Sequence, residues 1–481
     1  MSNNTNGPMD AHHHSRTSFT NAPHETPPPP LPRVIIVGGG LGGLLLAIIL
    51  EQVGIPYTVF ERSSEIKPLG AIMCLNSGIL PVFEQLGLFD DLMRVSLPTH
   101  SMNIFQENMK RISEVKMEGY KNLVGYDFTV FARPELHHIF ASRIPRGKIL
   151  FGKKVLSIMQ NSDGVMIRCS DNSSYQGDIL VGADGAYSAV RQTLYKQLSR
   201  ENKLPSCDEE QMSINYSIMV GTTNALDPEK YTDLKLNSSY YALILANKGS
   251  PLSWSTFTVP GNRICWSAQV QLDRDTSQNE SFRNSEWGPE TNEAFIREVY
   301  NGATPYGILG DLIDQTPKDK ISRVFLEDKL FETWTSGRVV LIGDAAHKLL
   351  PSAGQGAVSA MQDAVILANC IYDLTALDID SVTAALKDYR DQRYPHVKSQ
   401  YEGSKMNAKI LLGQKWTERL MRNVVFNYLP RSVHSWNAKK DNTYRPQINF
   451  LPQCPNRGKG PVLPQKPSKK YTLEQLGTVP I

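Results

Sequence analysis

The sequence has few cysteines, little net charge and no long apolar run. Its formal net charge of +3 over 481 residues is too small to indicate a nucleic-acid partner. The apolar stretch Leu44–Leu50 is too short to span a bilayer. The cysteines form no CxxC pair and no Cys/His metal-ligand spacing, so we predict no metal site and no disulfide framework, and a reducing, cytoplasmic compartment fits best. They are Cys74, Cys169, Cys207, Cys265, Cys370 and Cys454.

Both ends of the chain are predicted to be tails. Residues 1–32 are polar, end in the Pro-rich run Pro27–Pro32, and contain no apolar stretch typical of a secretory signal. We expect a disordered tail that ends in a stiff spacer, with docking to an SH3-type partner as the alternative. Residues 436–481 are rich in Pro and Lys and are expected to be extended. The whole chain, 41% hydrophobic and 21% charged, is typical of a globular protein of two or three domains.

A glycine-rich motif follows the first predicted strand. Residues 34–37 are a short apolar run, and Gly38, Gly40 and Gly43 then form a GxGxxG pattern before a predicted helix. The next predicted strand ends at Glu61, whose carboxylate is an acceptor for ribose hydroxyls. A dinucleotide fold requires this order: Gly38 permits the tight turn, Gly40 lets a pyrophosphate approach, and Gly43 lets helix and strand pack closely. The motif therefore predicts nucleotide binding at the start of this helix.

Two further predicted strands end at a carboxylate beside a glycine. Asp184-Gly185 closes one apolar run, Gly343-Asp344 closes another, and a helical pattern follows each. Because ligands bind at the carboxyl ends of strands in open α/β sheets, we expect both pairs to meet the glycine-rich loop at one site. The free N–H groups of the helix after Gly343-Asp344 would suit an electron-rich ring that becomes anionic. Taken alone, that pair is equally compatible with an ordinary strand–loop–helix turn.

The pattern changes between the second and third motifs. Residues 206–325 carry the alternating runs of antiparallel strands, which predicts a second domain whose sheet covers a substrate cavity. Residues 405–426 form a basic amphipathic pattern, which we expect to dock against the nucleotide domain, with peripheral membrane contact as the alternative. The predicted order is an N-terminal tail (1–32), a dinucleotide-binding domain in two parts (33–205 and 326–400), a substrate domain (206–325), a basic amphipathic helical segment (401–435) and an extended tail (436–481).

The three motifs, in this order, resemble those of the FAD-dependent aromatic-ring hydroxylases, single-component flavoprotein monooxygenases of the para-hydroxybenzoate hydroxylase type. The resemblance runs from about residue 33 to about residue 400. The form of residues 343–357 and of residues 427–431 is most similar to fungal members, among them those of secondary metabolism. The resemblance implies an α/β chain with a Rossmann-like, GR2-type FAD-binding domain, an antiparallel-sheet substrate domain and a C-terminal helical segment.

The resemblance also assigns FAD-binding roles. The glycine motif would hold the pyrophosphate, Glu61 the adenosine ribose and Asp344 the ribityl chain. Arg133 would contact the flavin side of the cofactor, although a solvated arginine at a helix end is the alternative. Asp184-Gly185 would touch FAD and help NAD(P)H dock, and the loop at Pro351 would border the isoalloxazine. The implied set is Gly38, Gly40, Gly43, Glu61, Gly70, Ala71, Arg133, Asp184, Gly185, Asp344, Pro351, Gly354, Gly356 and Ala357.

For function, the resemblance implies a monooxygenase. NAD(P)H would reduce FAD, O2 would add to give a C4a-hydroperoxyflavin, and one oxygen atom would pass to an electron-rich aromatic or isoprenoid substrate by hydroxylation or epoxidation. Such chemistry requires no obligatory acid or base from the protein, so no catalytic residue is assigned. A flavin-dependent reductase or dehydrogenase on the same fold and a non-catalytic FAD-binding interaction protein stay open as alternatives. The substrate, the choice between NADH and NADPH, and the oligomeric state are open at this point.

Overall fold

Two large sheets dominate the molecule. The computed structural model describes residues 31–65, 72–117, 119–245, 252–272, 289–413, 416–427 and 442–475. One sheet has six strands, nearly all parallel, and the other has eight, nearly all antiparallel. The predicted fold class, an α/β nucleotide domain with an antiparallel-sheet substrate domain, is confirmed. Two of the predicted site positions, Gly70 and Ala71, lie outside the described residues.

The six-stranded sheet brings the three motifs to one edge. The strand before the GxGxxG loop lies between the strand that precedes Glu61 and the strand that precedes Asp184, and the strand before Gly343 is the next neighbour. All four are parallel, so their carboxyl ends lie side by side. The order across the sheet is β20 (Thr335–Ser336), β21 (Val339–Leu341), β12 (Ile179–Gly182), β1 (Val34–Val37), β2 (Tyr57–Phe60) and β8 (Ile149–Leu150).

Two apolar helices form the core beside this sheet. Helix α1 (Leu41–Gln52) is buried from Leu41 to Leu50, and α10 (Gly356–Tyr372) is buried over most of its length. Both helices are apolar nearly all round because protein covers them on nearly every side. They approach closely, since a Cβ added to Gly42 would lie 3.1 Å from the carbonyl oxygen of Ala360. This packing holds the N-termini of both helices close to the same sheet edge.

The eight-stranded sheet forms the second layer. It draws on three stretches of chain, because residues 101–116 and 347–348 add strands from outside the predicted segment 206–325. Neighbouring strands are antiparallel except for one parallel pair. The order is β22 (His347–Lys348), β19 (Ser322–Leu330), β13 (Ser213–Thr222), β16 (Arg263–Gln271), β15 (Leu252–Val259), β14 (Tyr241–Leu245), β5 (Ser101–Gln106) and β6 (Arg111–Lys116).

Smaller sheets and short helices connect the two layers. Three strands make one small antiparallel sheet, three make a second, and two make a hairpin. The strands are β3 (Ile72–Leu75), β4 (Leu97–Pro98), β7 (Thr129–Ala132), β9 (Val155–Gln160), β10 (Val165–Cys169), β11 (Ser174–Gly177), β17 (Ala303–Thr304) and β18 (Gly307–Ile308). The helices are α2 (Leu80–Gln85), α3 (Phe89–Arg94), α4 (Tyr120–Val124), α5 (Arg133–Ser142), α6 (Ala189–Arg200), α7 (Ser206–Glu209), α8 (Pro289–Val299) and α9 (Leu309–Asp314).

The C-terminal region divides into helices and a packed tail. The segment 405–426 is shared between α11 (Ile379–Leu412) and α12 (Trp416–Asn427), which are separated at Gly413. From residue 442 the chain runs extended and buries Ile448 and Phe450 in the core of the nucleotide domain before α13 (Lys469–Gln475). Within the described residues, none of the helices combines the length and the apolarity that a bilayer crossing needs.

A buried charge network ties the edge of the six-stranded sheet to the helices behind it. The Asp363 carboxylate on α10 accepts hydrogen bonds from the Gly343 N–H and from Arg393 Nε, each at 2.8 Å, and lies 2.6 Å from His347 Nε2. The three ionisable side chains are at most 1% exposed. Burial raises the pKa of Asp363, but His347 and Arg393 outweigh that effect and lower it from 3.8. The network fixes the turn that follows β21 against α10 and α11.

Removing the cation of this network should destabilise the fold strongly. The substitution R393M leaves the Asp363 carboxylate buried without its guanidinium, which typically costs about 3–5 kcal/mol. The matched control is R390M in the same helix, because Arg390 pairs with Glu332 and Asp391 at the surface, where such pairs contribute ~1 kcal/mol or less. Urea denaturation of both variants measures the difference, and equal losses would contradict the role given to Arg393.

The cost of R393M should also depend on pH. The pKa of Asp363 in the folded chain is lowered, so its contribution is present above its unfolded value near 3.8 and is lost as the pH falls through the folded value. The gap in unfolding free energy between wild type and R393M should therefore be smallest in acid. It should widen as the pH rises through the range in which Asp363 ionises.

Candidate functional site

The GxGxxG turn contains two kinds of glycine. Gly38 has a φ of +111°, and an added Cβ would lie 2.2 Å from the Ala183 carbonyl oxygen. A Cβ on Gly43 would lie 2.2 Å from the Gly38 carbonyl oxygen. Gly40 differs, because no heavy atom lies within 4 Å of an added Cβ, and it precedes α1 without a side-chain cap. The fold itself requires Gly38 and Gly43, whereas Gly40 borders open space at a helix N-terminus that can hold a phosphate.

Glu61 and His137 hold the glycine loop from two sides. The Glu61 carboxylate accepts hydrogen bonds from the N–H groups of Gly39 and Ser63, each at 2.8 Å. Nε2 of His137, on α5, lies 2.6 Å from the Gly39 carbonyl oxygen. Burial lowers the pKa of His137 from 6.5, so the ring is neutral at pH 7, and Nε2 must carry the proton because a carbonyl only accepts. No sequence motif indicated His137, since its contact with the loop joins residues nearly a hundred positions apart.

Arg133 lies at the first position of α5, one turn before His137. Its side chain is exposed, and the four-residue spacing puts it on the same side of α5 as His137, which contacts the glycine loop. Among the described residues its guanidinium has no ion-pair partner. The cation is therefore available to a phosphate or to the edge of a flavin.

Asp184 carries the strongest sign that this site is built for a ligand. Its Oδ2 accepts hydrogen bonds from the Ala189 N–H at 2.7 Å and the Val190 N–H at 3.2 Å. Its Oδ1 is buried and has no hydrogen-bond partner within the described part of the chain. Burial raises the pKa of Asp184 from 3.8, and the donors at the start of α6 offset this only in part. A buried acceptor without a donor is costly, and a ligand hydroxyl would satisfy it. The space beside the next residue, Gly185, is open.

The third motif forms a tight turn at the end of β21. Gly343 has a φ of +60°, and an added Cβ would lie 2.9 Å from the Ala360 Cβ, so glycine lets the turn pack against α10. The Asp344 carboxylate pairs with Lys348 and is 34% exposed. It is therefore accessible to a ligand hydroxyl at the same sheet edge as Gly38 and Asp184.

The loop after this turn leaves open space in front of α10. Residues Pro351–Ala353 form a 3-10 turn, and Gly354 follows with a φ of +64°. An added Cβ at Gly354 or Gly356 would meet no heavy atom within 4 Å. Helix α10 begins at Gly356 without a side-chain cap, and Ala357 packs against the core. Backbone N–H groups and the positive end of a helix thus border the space beside Pro351.

These parts fit an extended ligand with phosphate, polyol and ring portions. Backbone contacts place the GxGxxG loop against Ala183, next to Asp184, and place α1 against α10. The unsatisfied Asp184 oxygen fits a hydroxyl, and the open space at Gly40 and Gly354 fits close approach to backbone. The glycine motif, Glu61, Asp184-Gly185 and Asp344 thus lie at the carboxyl ends of neighbouring parallel strands of one sheet, whereas Arg133 begins α5 after a strand of a smaller sheet. Their roles toward individual cofactor atoms stay predictions.

Residues 32–404 match the sequence profile of the FAD binding domain family. The chain belongs to this family. Among its relatives, the FAD-dependent monooxygenase ausM of Penicillium brasilianum is 28% identical over 414 residues, which cover 82% of this chain and 83% of the relative. The FAD-dependent monooxygenase prhF of the same fungus is 28% identical over 460 residues, which cover 92% and 91%.

Solved structures show the same fold. Klebsiella pneumoniae HpxO complexed with FAD and uric acid superimposes with a TM-score of 0.70 at 23% identity, over 86% of this chain and 97% of HpxO. A salicylate hydroxylase substrate complex superimposes with a TM-score of 0.63 at 20% identity, over 86% and 97%. The predicted resemblance to FAD-dependent flavoprotein monooxygenases is confirmed. The chain is an FAD-dependent monooxygenase, and FAD is its cofactor.

A methyl group on Gly40 should weaken FAD binding without disturbing the fold. The added Cβ meets no protein atom, so apoprotein stability should hardly change, but it enters the space left for the phosphates. We expect G40A to lower FAD affinity at least about tenfold, or ~1.4 kcal/mol. The control is G403A on α11, where the added Cβ also meets nothing. Fluorescence titration of both apoproteins with FAD measures the effect, and equal affinities would contradict it.

Proposed function

We propose that the enzyme uses NAD(P)H and O2 to hydroxylate or epoxidise an electron-rich organic molecule, aromatic or isoprenoid. The observation that carries this proposal is the contact between the two layers of the fold. Leu350, immediately before the Pro351 loop, is buried in one cluster with Tyr216 and Leu326 of the eight-stranded sheet. With the flavin ring beside the Pro351 loop, as proposed, the ring end of the cofactor would lie against this sheet. A substrate bound on the sheet would be held next to the ring.

The chain contributes orientation and dry surroundings to this reaction. Bound FAD, once reduced by NAD(P)H, supplies the activation of oxygen. The uncapped N-terminus of α10 favours a reduced ring that carries negative charge. Ala408 and Leu412 of α11 close the cluster around Leu350 and exclude water from its vicinity. No ionisable side chain is needed at the reacting atoms, which agrees with the uncharged packing around Leu350.

The oxygen balance of the reaction tests this function. Purified holoenzyme given substrate, NAD(P)H and labelled O2 should form a product that carries one labelled oxygen atom, with one NAD(P)H oxidised for each product molecule. Turnover without label in the product would indicate a reductase or dehydrogenase. Bound FAD that NAD(P)H does not bleach, with any candidate substrate present, would indicate a non-catalytic FAD-binding protein. Either result would overturn the proposal.

We also propose that α12 makes a peripheral membrane contact. Trp416, Leu420 and Val424 follow one face of this helix at four-residue spacing and are 70%, 54% and 41% exposed. On the opposite side Arg422 is buried and donates hydrogen bonds to the carbonyl oxygens of Ile410 and Gly413. A surface helix usually buries its apolar side and exposes its charged side, and α12 does the opposite. Of the five Lys and Arg in residues 405–426, Arg422 is buried and Lys405 pairs with Asp328. The other three, Lys409, Lys415 and Arg419, outnumber the single acidic residue, Glu418, which suits an anionic lipid surface.

Replacing the apolar stripe should release the protein from vesicles. The double variant W416S/L420S should lose most of its co-sedimentation with vesicles that contain about one-third anionic phospholipid, because the exposed apolar area is gone. The control L156S/M159S removes two side chains of β9 that are 55% and 53% exposed. It should bind vesicles as the wild type does. Unchanged binding of W416S/L420S would exclude α12 as the contact.

A further inference from the structure

We propose that neighbouring side chains of β13 and β16 form a binding site for a neutral substrate, an apolar skeleton that carries a hydroxyl or carbonyl group. The site consists of Ile218 and Val220 on β13 and of Ser267, Gln269 and Gln271 on β16. This inference rests on the proposed function and adds the chemical class of its substrate. It follows from three observations: which face of the sheet these residues share, where that face is open, and which side chains border the opening.

The register of the sheet places these residues on the side of the flavin site. Ile218 lies opposite Gln269, Val220 opposite Ser267, and Tyr216 opposite Gln271, so all point to one face. On that face Tyr216 packs with Leu350, next to the Pro351 loop. Farther along the same strands, Cys265 packs with Ala132, which immediately precedes Arg133. The face is therefore anchored at two points that adjoin predicted cofactor-binding residues.

Exposure shows where this face is open. Up to Val270, strands β13 and β16 have a neighbour on each side, so lateral exposure is excluded for Ile218, Val220 and Gln269. On the opposite face Met219, Trp266 and Ala268 are at most 1% exposed, beneath helices α8 and α9. On the flavin side, in contrast, Ile218, Val220, Gln269 and Gln271 are only partly buried. The exposed parts of Ile218, Val220 and Gln269 therefore face the flavin side, between the two anchoring clusters.

The side chains around this opening are apolar or neutral hydrogen-bonding groups. The Gln271 amide oxygen is buried and has no hydrogen-bond partner within the described residues, so it calls for a donor from a ligand. Ser267 Oγ lies 2.8 Å from Ser255 Oγ of the next strand, which extends the polar row. Ile218 and Val220 provide the apolar part. An apolar body with one or two hydroxyl or carbonyl groups matches this arrangement.

The same residues disfavour an anionic substrate. None of the five side chains is charged. Of the cations on this side of the sheet, Lys405 is paired with Asp328 at 3.2 Å, Arg263 is paired with Glu135 at 2.9 Å, and Arg133 is assigned to the cofactor. Asp328 also accepts a hydrogen bond from the Tyr401 hydroxyl at 2.9 Å. A carboxylate buried here would have to give up its hydration without gaining a counter-ion, which is costly. Selectivity for a neutral ligand therefore follows from the chemistry of the lining.

Binding of a matched ligand pair to the FAD-loaded protein tests this inference. The probes are 4-octylphenol and 4-octylbenzoate, which share the apolar part and differ in charge, and the readout is the change in flavin absorbance on titration without NAD(P)H. We expect the phenol to bind at least about tenfold more tightly than the benzoate. Tighter or equal binding of the benzoate, or no response to the phenol, would overturn the proposal. Because the readout needs no turnover, failure of oxygen transfer would leave it unaffected.

Two substitutions at one position sharpen the test. Q269L should weaken phenol binding several-fold by removing the amide, whereas Q269R should reverse the preference and favour the benzoate through a new cation. The control is Q176L on β11, a glutamine exposed in another sheet, which should leave both affinities unchanged. Bound flavin per protein chain confirms that each variant is folded. An unchanged ligand preference in folded Q269R would place the substrate elsewhere.

Discussion

One buried carboxylate, that of Asp363, sets the geometry on which much of the site depends. It accepts hydrogen bonds from the Gly343 N–H and the Arg393 guanidinium and contacts the His347 ring. These groups belong to the turn after β21, to α11 and to β22. Because these partners share one acceptor, the turn that carries Asp344 cannot shift without breaking a charge-assisted hydrogen bond in a dry environment. The C-terminal tail takes part as well, since the Tyr444 ring lies over the Arg393 guanidinium, 5.3 Å from it.

The glycines of the site divide according to what requires them. At Gly38, Gly43 and Gly343 an added Cβ would collide with protein atoms, so the packing of loops and helices demands glycine there. At Gly40 and Gly354 the neighbouring space is empty of protein, so glycine is explained by close approach of a ligand. One residue type thus serves stability at some positions and binding at others. Mutations at the two groups should be interpreted differently. A variant at Gly38, Gly43 or Gly343 that lost FAD would have lost it because the fold was disturbed, whereas a variant at Gly40 or Gly354 would report on binding itself.

The sequence was sufficient to predict features that depend on the order of neighbouring elements along the chain. Strand, glycine turn and helix follow each other in the chain, and parallel strands bring their carboxyl ends together, so the convergence of Gly38, Asp184 and Asp344 on one edge could be predicted. Contacts between distant segments could not. The Arg393–Asp363 pair has no motif, and strand β5 joins the second sheet by pairing with β14, more than a hundred residues away. Periodicity alone also missed the division at Gly413, where an added Cβ would lie 2.3 Å from the Lys409 carbonyl oxygen.

The contacts that join the two layers link cofactor position to substrate position. Leu350 and Ala132 each precede a predicted cofactor-binding residue, and each is buried against the flavin-side face of the eight-stranded sheet. A close-packed interior transmits small displacements, so a shift of this sheet would move the Pro351 loop and the start of α5 together. With the flavin and the substrate placed as proposed, these contacts would couple the positions of the two.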